Sequence, residues 1–258
     1  FAELTGEEQE QLDLSRCYAL QEALDGANDP DLAEGHAAQQ EGDEARVTIG
    51  GVTTYYTEFA EAWKKAQEGA AENPATVTLL KDVTLTETLT VTSGQNITLT
   101  SAKNSDGNDF TMNYAEESTS MYPAIEVNGG TFELKGGTIN VDVENGLGVS
   151  VNGGTFELTG GAIRVPGDGR YGVNVRSGGT VAISGGEITM SGDSGNGVRV
   201  QSGGTATISG GTITADNGVS VIKGTATISG GTITADNGVS VQSGGTATIS
   251  GGTITADY

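Results

Sequence analysis

The sequence predicts an all-β solenoid, a three-sided parallel β-helix with short glycine-rich corners and a helical N-terminal cap. The last third repeats one unit, as NGVRVQSGGTATISGGTITAD (196–216), NGVSVIKGTATISGGTITAD (217–236) and NGVSVQSGGTATISGGTITAD (237–257). Within each copy apolar and polar residues alternate and the run breaks at glycine pairs, which is the period of strands. A unit this short has no room for a crossover helix and cannot bury its apolar side alone, so we expect successive copies to stack as coils.

The unit extends upstream as a cassette made of Gly-Gly-Thr, an alternating run and a second glycine pair. The two pairs keep a constant separation, as between Gly130 and Gly137 and between Gly204 and Gly211. We therefore expect all length variation at one corner, after the third strand of each coil. The glycine pairs supply the positive φ angles that tight corners need. The cassettes begin at Gly129, Gly153, Gly178, Gly203, Lys223 and Gly244.

Each coil is predicted to contain three strands, which in the fourth coil are Gly197–Gln201, Thr205–Ser209 and Thr212–Asp216. Because successive side chains of a strand point to opposite faces, the apolar set lines the interior and the polar set faces water. Each strand should pair with its counterpart one coil on, about 4.8 Å away. The interior site of Phe132 is occupied by Ala247 in the last coil, so the bore should narrow toward the C-terminus.

Two segments lead into the cassette coils, which span residues 124–258. Residues 76–123 alternate less regularly and are predicted to form the first, irregular coils. Residues 47–75 are predicted to form a capping strand and a helix over Thr57–Gly69 that plugs the bore. The apolar residues of this helix recur at helical spacing and are Phe59, Ala62, Trp63 and Ala66.

Residues 1–46 are predicted to form an acidic, partly helical arm. A capping box at Thr5 opens a helix to about Leu24, and Cys17 lies on its apolar stripe. Residues 28–45 indicate an acidic linker or a loosely packed arm. The chain begins at Phe1 and stops just after a third strand. We therefore expect that an upstream segment has been removed, and that either more repeats follow or the last coil is an open edge.

Composition argues against several classes of partner. The 34 acidic and 12 basic residues give a formal net charge of -22, which disfavours nucleic acid and anionic membrane surfaces. A single cysteine excludes an intrachain disulfide framework. No apolar run is long enough to cross a bilayer, so we expect no membrane insertion in this segment.

A family resemblance runs from about Ala45 to Asp257. The entry strands and helix (VTIGGVTTYYTEFAEAWKKA, then ATVTLLKDVTL) lead into cassettes of the form GGT-x-x-I-S-GG-T-I. This arrangement resembles the pectin-lyase-like β-helix region of secreted surface proteins from Gram-positive, often gut-dwelling, bacteria. The resemblance implies a right-handed β-helix that is secreted or anchored to the cell wall. That superfamily contains polysaccharide lyases, glycoside hydrolases and non-catalytic adhesins, so the fold does not decide the function.

An enzyme of the lyase or hydrolase kind needs acidic side chains placed for acid and base roles. Glu133 and Glu157 occupy equivalent outward positions on adjacent coils and are the candidate catalytic pair. No family motif surrounds them, and a solvated, mildly repulsive pair on a duplicated coil is the commoner explanation. The histidine, His36, lies in the acidic arm, so no Ser–His or Cys–His arrangement forms inside the β-helix. We favour a non-catalytic protein and keep the enzyme as the alternative.

Stacked aspartates offer a candidate calcium site. Asp216, Asp236 and Asp257 close successive third strands, where like charges repel and a bound cation would relieve the repulsion. The Asp-Asn-Gly sequence is also a good turn without metal, and the repeat lacks the glycine-rich calcium-roll pattern. We therefore expect no cofactor, with Ca²⁺ as the one candidate.

The outward threonines form regular Thr-x-Thr ladders over three coils. Such ladders resemble the ice-facing side of some β-helical antifreeze proteins. Threonine is also simply a good exposed strand residue. The ladder positions are Thr205, Thr207, Thr225, Thr227, Thr246 and Thr248.

The corner after the third strand is the predicted recognition surface. Its loops should line up along one edge and carry the candidate binding residues Tyr114, Tyr122, Arg170 and Tyr171. Loops on a rigid scaffold often carry recognition, and tyrosine and arginine are frequent contact residues. The favoured function is therefore a stalk or adhesive segment that binds an extracellular glycan or a host or cell-surface protein. Neutral insertion at a tolerant corner is the alternative. The open strand edges of the last coil further predict end-to-end self-association.

Overall fold

The computed structural model describes residues 35–115, 122–166 and 170–257, which form an all-β solenoid of about seven turns, as predicted. The helix predicted from Thr5 to Leu24, with Cys17, lies outside these residues. In chain order the elements are β1 (Ala45–Ile49), β2 (Val52–Tyr56), α1 (Phe59–Ala66), β3 (Ala75–Leu79), β4 (Val83–Leu85), β5 (Leu89–Val91), β6 (Asn96–Ser101), β7 (Thr111–Tyr114), β8 (Pro123–Leu134), β9 (Thr138–Val141), β10 (Leu147–Leu158), β11 (Ala162–Val165), β12 (Tyr171–Val175), β13 (Gly179–Ile183), β14 (Glu187–Met190), β15 (Asn196–Val200), β16 (Thr205–Ile208), β17 (Thr212–Ile222), β18 (Thr225–Ile228), β19 (Thr232–Gln242), β20 (Thr246–Ile249) and β21 (Thr253–Ala256).

Three parallel sheets run the length of the solenoid, one for each strand of a coil. Sheet 1 contains β5, the first halves of β8 and β10, β12, β15 and the last parts of β17 and β19. Sheet 2 contains β3, β6, the last halves of β8 and β10, β13, β16, β18 and β20. Sheet 3 contains β4, β7, β9, β11, β14, the first parts of β17 and β19, and β21.

The pairing keeps equivalent repeat positions in register from coil to coil. Apolar positions of all three sheets point inward and form one continuous core. In the fourth coil the outward residues Thr205, Thr207 and Thr212 are exposed, as the alternation predicts, and the outward Arg199 and Thr214 are half-buried. The inward column of sheet 2 becomes smaller along the axis, and its members are Phe132, Phe156, Val181, Ala206, Ala226 and Ala247.

The corners differ from the prediction in one respect. Length also varies between sheets 1 and 2, where Val151 to Thr155 aligns with Val175 to Thr180, a segment one residue longer. The shorter corner recurs at Lys223, which has a φ of 59°. At both corner lengths a residue with a positive φ angle closes the turn. The corner can therefore gain or lose one residue without disrupting the strands on either side.

The Asp-Asn-Gly segments of the last coils are strand rather than turn. Residues 216–218 lie inside β17, which bends from sheet 3 into sheet 1 without a positive φ angle. Glycine is required here by close packing, because a Cβ on Gly218 would lie 2.4 Å from Cγ2 of Ile233. Gly238 meets Ile254 of the following coil in the same way. This Gly–Ile contact joins sheets 1 and 3 in successive coils.

The predicted cap helix is present and covers the wide mouth of the bore. Its residues Phe59, Ala62, Trp63 and Ala66 are all buried. The side chain of Glu58, at the N-cap position, makes no capping hydrogen bond. A carboxylate from another segment takes this role, because the Phe59 amide donates to Oε2 of Glu44 at 2.7 Å. Beside the helix, β1 pairs antiparallel with both β2 and β3 and covers the edge of sheet 2.

Residues 35–44 pack against the cap, although the sequence indicated a linker or a loose arm. His36 exchanges two backbone hydrogen bonds with Tyr55, at 3.0 and 2.8 Å, and so covers the outer edge of β2. Asp43 is 5% exposed, and its carboxylate accepts from the Gln40 amide at 2.7 Å and contacts His36 Nε2 at 2.9 Å. These partners compensate the burial of the carboxylate and hold the segment in place.

Candidate functional site

The two candidate catalytic glutamates are neighbours on the outer face of sheet 2, since Glu133 pairs in register with Glu157. The Glu133 carboxylate accepts hydrogen bonds from Thr98 Oγ1 at 3.0 Å and Thr159 Oγ1 at 2.6 Å. Arg164 lies on sheet 3, where its Nη2 is 3.8 Å from Glu187 Oε2. Glu133 is thus a hydrogen-bonded surface carboxylate beside Glu157, and a corner of the solenoid separates both from this arginine.

The three candidate calcium ligands line a shallow hollow where sheet 3 ends. Asp216, Asp236 and Asp257 meet there beside a column of threonines. Asp216 accepts a hydrogen bond from the Ser194 amide through Oδ2, so one carboxylate already has a backbone partner. Within the described ranges, no three His, Cys, Asp or Glu side chains are arranged to hold a metal ion.

The variable corners stack along one edge, as the sequence predicts. The Arg170 amide donates to Gly146 O at 2.9 Å, and the Asn196 amide donates to Arg170 O at 3.0 Å. The Asn217 amide continues the series to Gly195 O at 2.9 Å. Backbone hydrogen bonds therefore tie the described corners together from Gly146 to Asn217.

Tyr114 is a core residue and not part of this edge. It is 3% exposed and pairs with Leu85 and Val141 in sheet 3. Its hydroxyl lies 3.4 Å from Thr88 Oγ1. The sequence analysis predicts Tyr114 at the variable corner, and this prediction is wrong. The alternation in FTMNY, which the inward column of Val141 and Val165 continues, is the pattern that indicates its buried position.

Two other candidates at the edge already have partners within the protein. Arg170 donates from Nε to Asn145 Oδ1 at 3.0 Å. The Arg199 guanidinium lies over the Tyr171 ring, with Cζ 4.9 Å from the centroid, and donates from Nη1 to the Tyr171 hydroxyl. This cation–π contact fixes both side chains and covers one face of the tyrosine.

Tyr122 is accessible to a ligand, because the residue is 50% exposed. It borders a hollow of about 350 Å³ on the outer face of sheet 1. We call this feature the sheet 1 hollow. Its lining residues are Thr88, Thr90, Tyr122, Pro123, Glu126, Leu147, Ser150 and Arg176.

The floor of the sheet 1 hollow is a polar network that sequence reasoning missed. Glu126 accepts from Asn152 Nδ2 at 2.7 Å through Oε1 and from Asn128 Nδ2 at 2.9 Å through Oε2. Ser150 is 2% exposed and donates to Asn152 Oδ1 at 3.1 Å. The network is formed between coils, so only the repeat register, by which Glu126 and Ser150 are neighbours, could have indicated it.

Two polar groups beside this floor lack partners. Asn174 pairs in register with Ser150, is fully buried, and accepts from Gln201 Nε2 at 2.8 Å through Oδ1. Its Nδ2 has no hydrogen-bond partner in the described residues. The Arg176 side chain, which lines the sheet 1 hollow, likewise makes no hydrogen bond or ion pair within the described ranges. A buried amide without an acceptor is costly, and a hydroxyl seated beside Ser150 would supply one.

Comparison with protein-family profiles, with curated protein sequences and with solved structures gives no significant match. None of the helices in the described residues is long and apolar enough to span a bilayer.

Proposed function

We propose that this protein is a non-catalytic, extracellular β-solenoid that binds a saccharide in the sheet 1 hollow. The observation that carries the proposal is the grouping of a half-exposed tyrosine, Tyr122, with a hydrogen-bonded carboxylate, Glu126, and the guanidinium of Arg176, which has no partner among the described residues. Ligand sites combine apolar and aromatic walls with a few convergent polar groups, as this hollow does.

Rigidity of the scaffold supports this assignment. The polar floor is built on strands of sheet 1, and the amides of Asn128 and Asn152 hold the Glu126 carboxylate from both sides. A site whose groups are fixed before binding loses little conformational entropy when the ligand arrives. The solenoid of stacked coils supports the role of a stalk or adhesin. The family resemblance supports a location outside the cell, secreted or wall-anchored.

A glycan array tests the proposal. Wild type should bind a limited set of glycans, and Tyr122→Ala and Arg176→Ala should each lower that signal about tenfold or more. Arg164→Ala is the matched control, because this arginine is also exposed but lies on sheet 3. If neither hollow variant changes glycan binding, the proposed site is contradicted. If wild type binds no glycan, the proposed function is contradicted. Release of new reducing ends from a bound polysaccharide would favour the enzyme.

A further inference from the structure

We infer that the sheet 1 hollow selects uncharged saccharides with neighbouring free hydroxyls over saccharides that carry carboxylate or sulfate groups. This inference rests on the proposed function and names its ligand class. It follows from the arrangement of Glu126 and Arg176, the two charged side chains among the described residues that line the hollow.

Glu126 is an acceptor that still has capacity. Each of its carboxylate oxygens accepts one hydrogen bond from an asparagine amide, at 2.7 and 2.9 Å. A carboxylate oxygen has two lone pairs, so each can accept one further hydrogen bond. A sugar hydroxyl can donate that bond. A ligand carboxylate has no proton to donate at neutral pH and is repelled by the like charge.

Arg176 presents the complementary chemistry. Its guanidinium carries five N–H donors and no acceptor, and none of these donors is engaged in the described residues. Arg176 follows Val175, which lies two coils from Val127 in the register of sheet 1, so the backbones of Arg176 and Glu126 are separated along the axis by about 10 Å. A ligand between them must donate at one end and accept at the other. A hydroxyl does both, whereas an anionic group can only accept.

The other groups at the site favour the same ligand class. Tyr122 provides a half-exposed ring on which the apolar face of a sugar can pack. The Asn174 Nδ2 donor, one coil beyond Ser150, is uncharged and requires only a neutral acceptor. The net charge of -22 adds a general repulsion of polyanions that salt screens over about 8–10 Å.

Matched pairs of oligosaccharides test the inference. A neutral hexose oligomer and the uronic acid oligomer of the same linkage and length are titrated against wild type, Glu126→Gln and Arg176→Gln. Wild type should bind the neutral member about tenfold or more tightly, because the Glu126 carboxylate repels a like charge brought to the site. Glu126→Gln should reduce that preference by improving affinity for the acid. Arg176→Gln should weaken binding of the neutral member.

The possible outcomes separate the two proposals. Preference of wild type for the acidic member, lost in Arg176→Gln, would overturn the inference and leave saccharide binding in the hollow intact. A preference for the neutral member that Glu126→Gln leaves unchanged would also overturn the inference. Binding of neither member of any pair would overturn the proposed function itself. Thermal melts of each variant confirm that the coils are folded.

Discussion

The indole ring of Trp63 meets the phenyl ring of Phe132 edge to face, with 6.2 Å between the centroids and 69° between the planes. Phe132 in turn stacks on Phe156 of the next coil at 5.7 Å. One aromatic column therefore joins the cap helix to the first two cassette coils. The cap is part of the core, and its removal should be felt by the coils beneath it.

Trp63→Ala should lower the free energy of unfolding by about 3–5 kcal/mol, because it opens a large cavity at the mouth of the bore. Chemical denaturation followed by circular dichroism measures the loss. Lys64→Ala, on the exposed side of the same helix, is the control and should shift the midpoint little. Equal midpoints for the two variants would show that the cap contributes no stability to the coils.

Glu44→Ala should destabilise the cap by about 1 kcal/mol, because the carboxylate that receives the Phe59 amide is lost from the helix N-terminus. Hydrogen exchange of the α1 amides reports this locally. Glu58→Ala removes a carboxylate at the N-cap position that makes no capping bond, so it should leave the exchange unchanged. Faster exchange in Glu58→Ala than in Glu44→Ala would contradict the assignment.

Tyr114 and Tyr122 should behave oppositely when truncated. Tyr114→Ala should cost about 3–5 kcal/mol of stability, because the ring is buried in sheet 3. Tyr122→Ala should stay within about 0.5 kcal/mol, because half of its surface is exposed. Thermal unfolding of both variants at one protein concentration is sufficient. A large loss in Tyr122→Ala would mean that its effect on binding reports folding.

Glu157→Gln should raise stability by about 0.2–1 kcal/mol, because it removes a like charge directly beside Glu133. The gain should shrink in high salt, where both charges are screened. Denaturation at low and high ionic strength measures both effects. A gain that does not depend on salt would point to packing instead of charge.

A polypeptide of these 258 residues should dimerise through its last coil. Val241 and Ile249 are inward-pointing residues that are 48% and 51% exposed there, beside unpaired strand edges. Sedimentation velocity at increasing concentration should reveal the dimer, and Ile249→Lys should abolish it. A strict monomer at all concentrations would contradict the expectation.

Most of the fold could be predicted from the local periodicity of the sequence. The alternation in each cassette indicated which side chains point inward, and the spacing from Phe59 to Ala66 located the cap helix. Contacts between distant segments were not predictable in this way. Glu44 caps a helix that begins 15 residues later, and the Glu126 carboxylate depends on Asn152 from the next coil. Tyr114 was misplaced because its strand is only four residues long and lies beside a loop.

The contact of Gly218 with Ile233 recurs one coil later between Gly238 and Ile254, and this repetition bears on how the number of coils can change in evolution. Every coil in this region offers its successor the same surface that it received from its predecessor. Insertion or deletion of one of these near-identical repeats therefore adds or removes a whole coil without creating a new packing problem. Each event would change the reach of the molecule by about 4.8 Å. Length is thus a trait that selection can adjust in small, equal steps while the sheet 1 hollow stays unaltered.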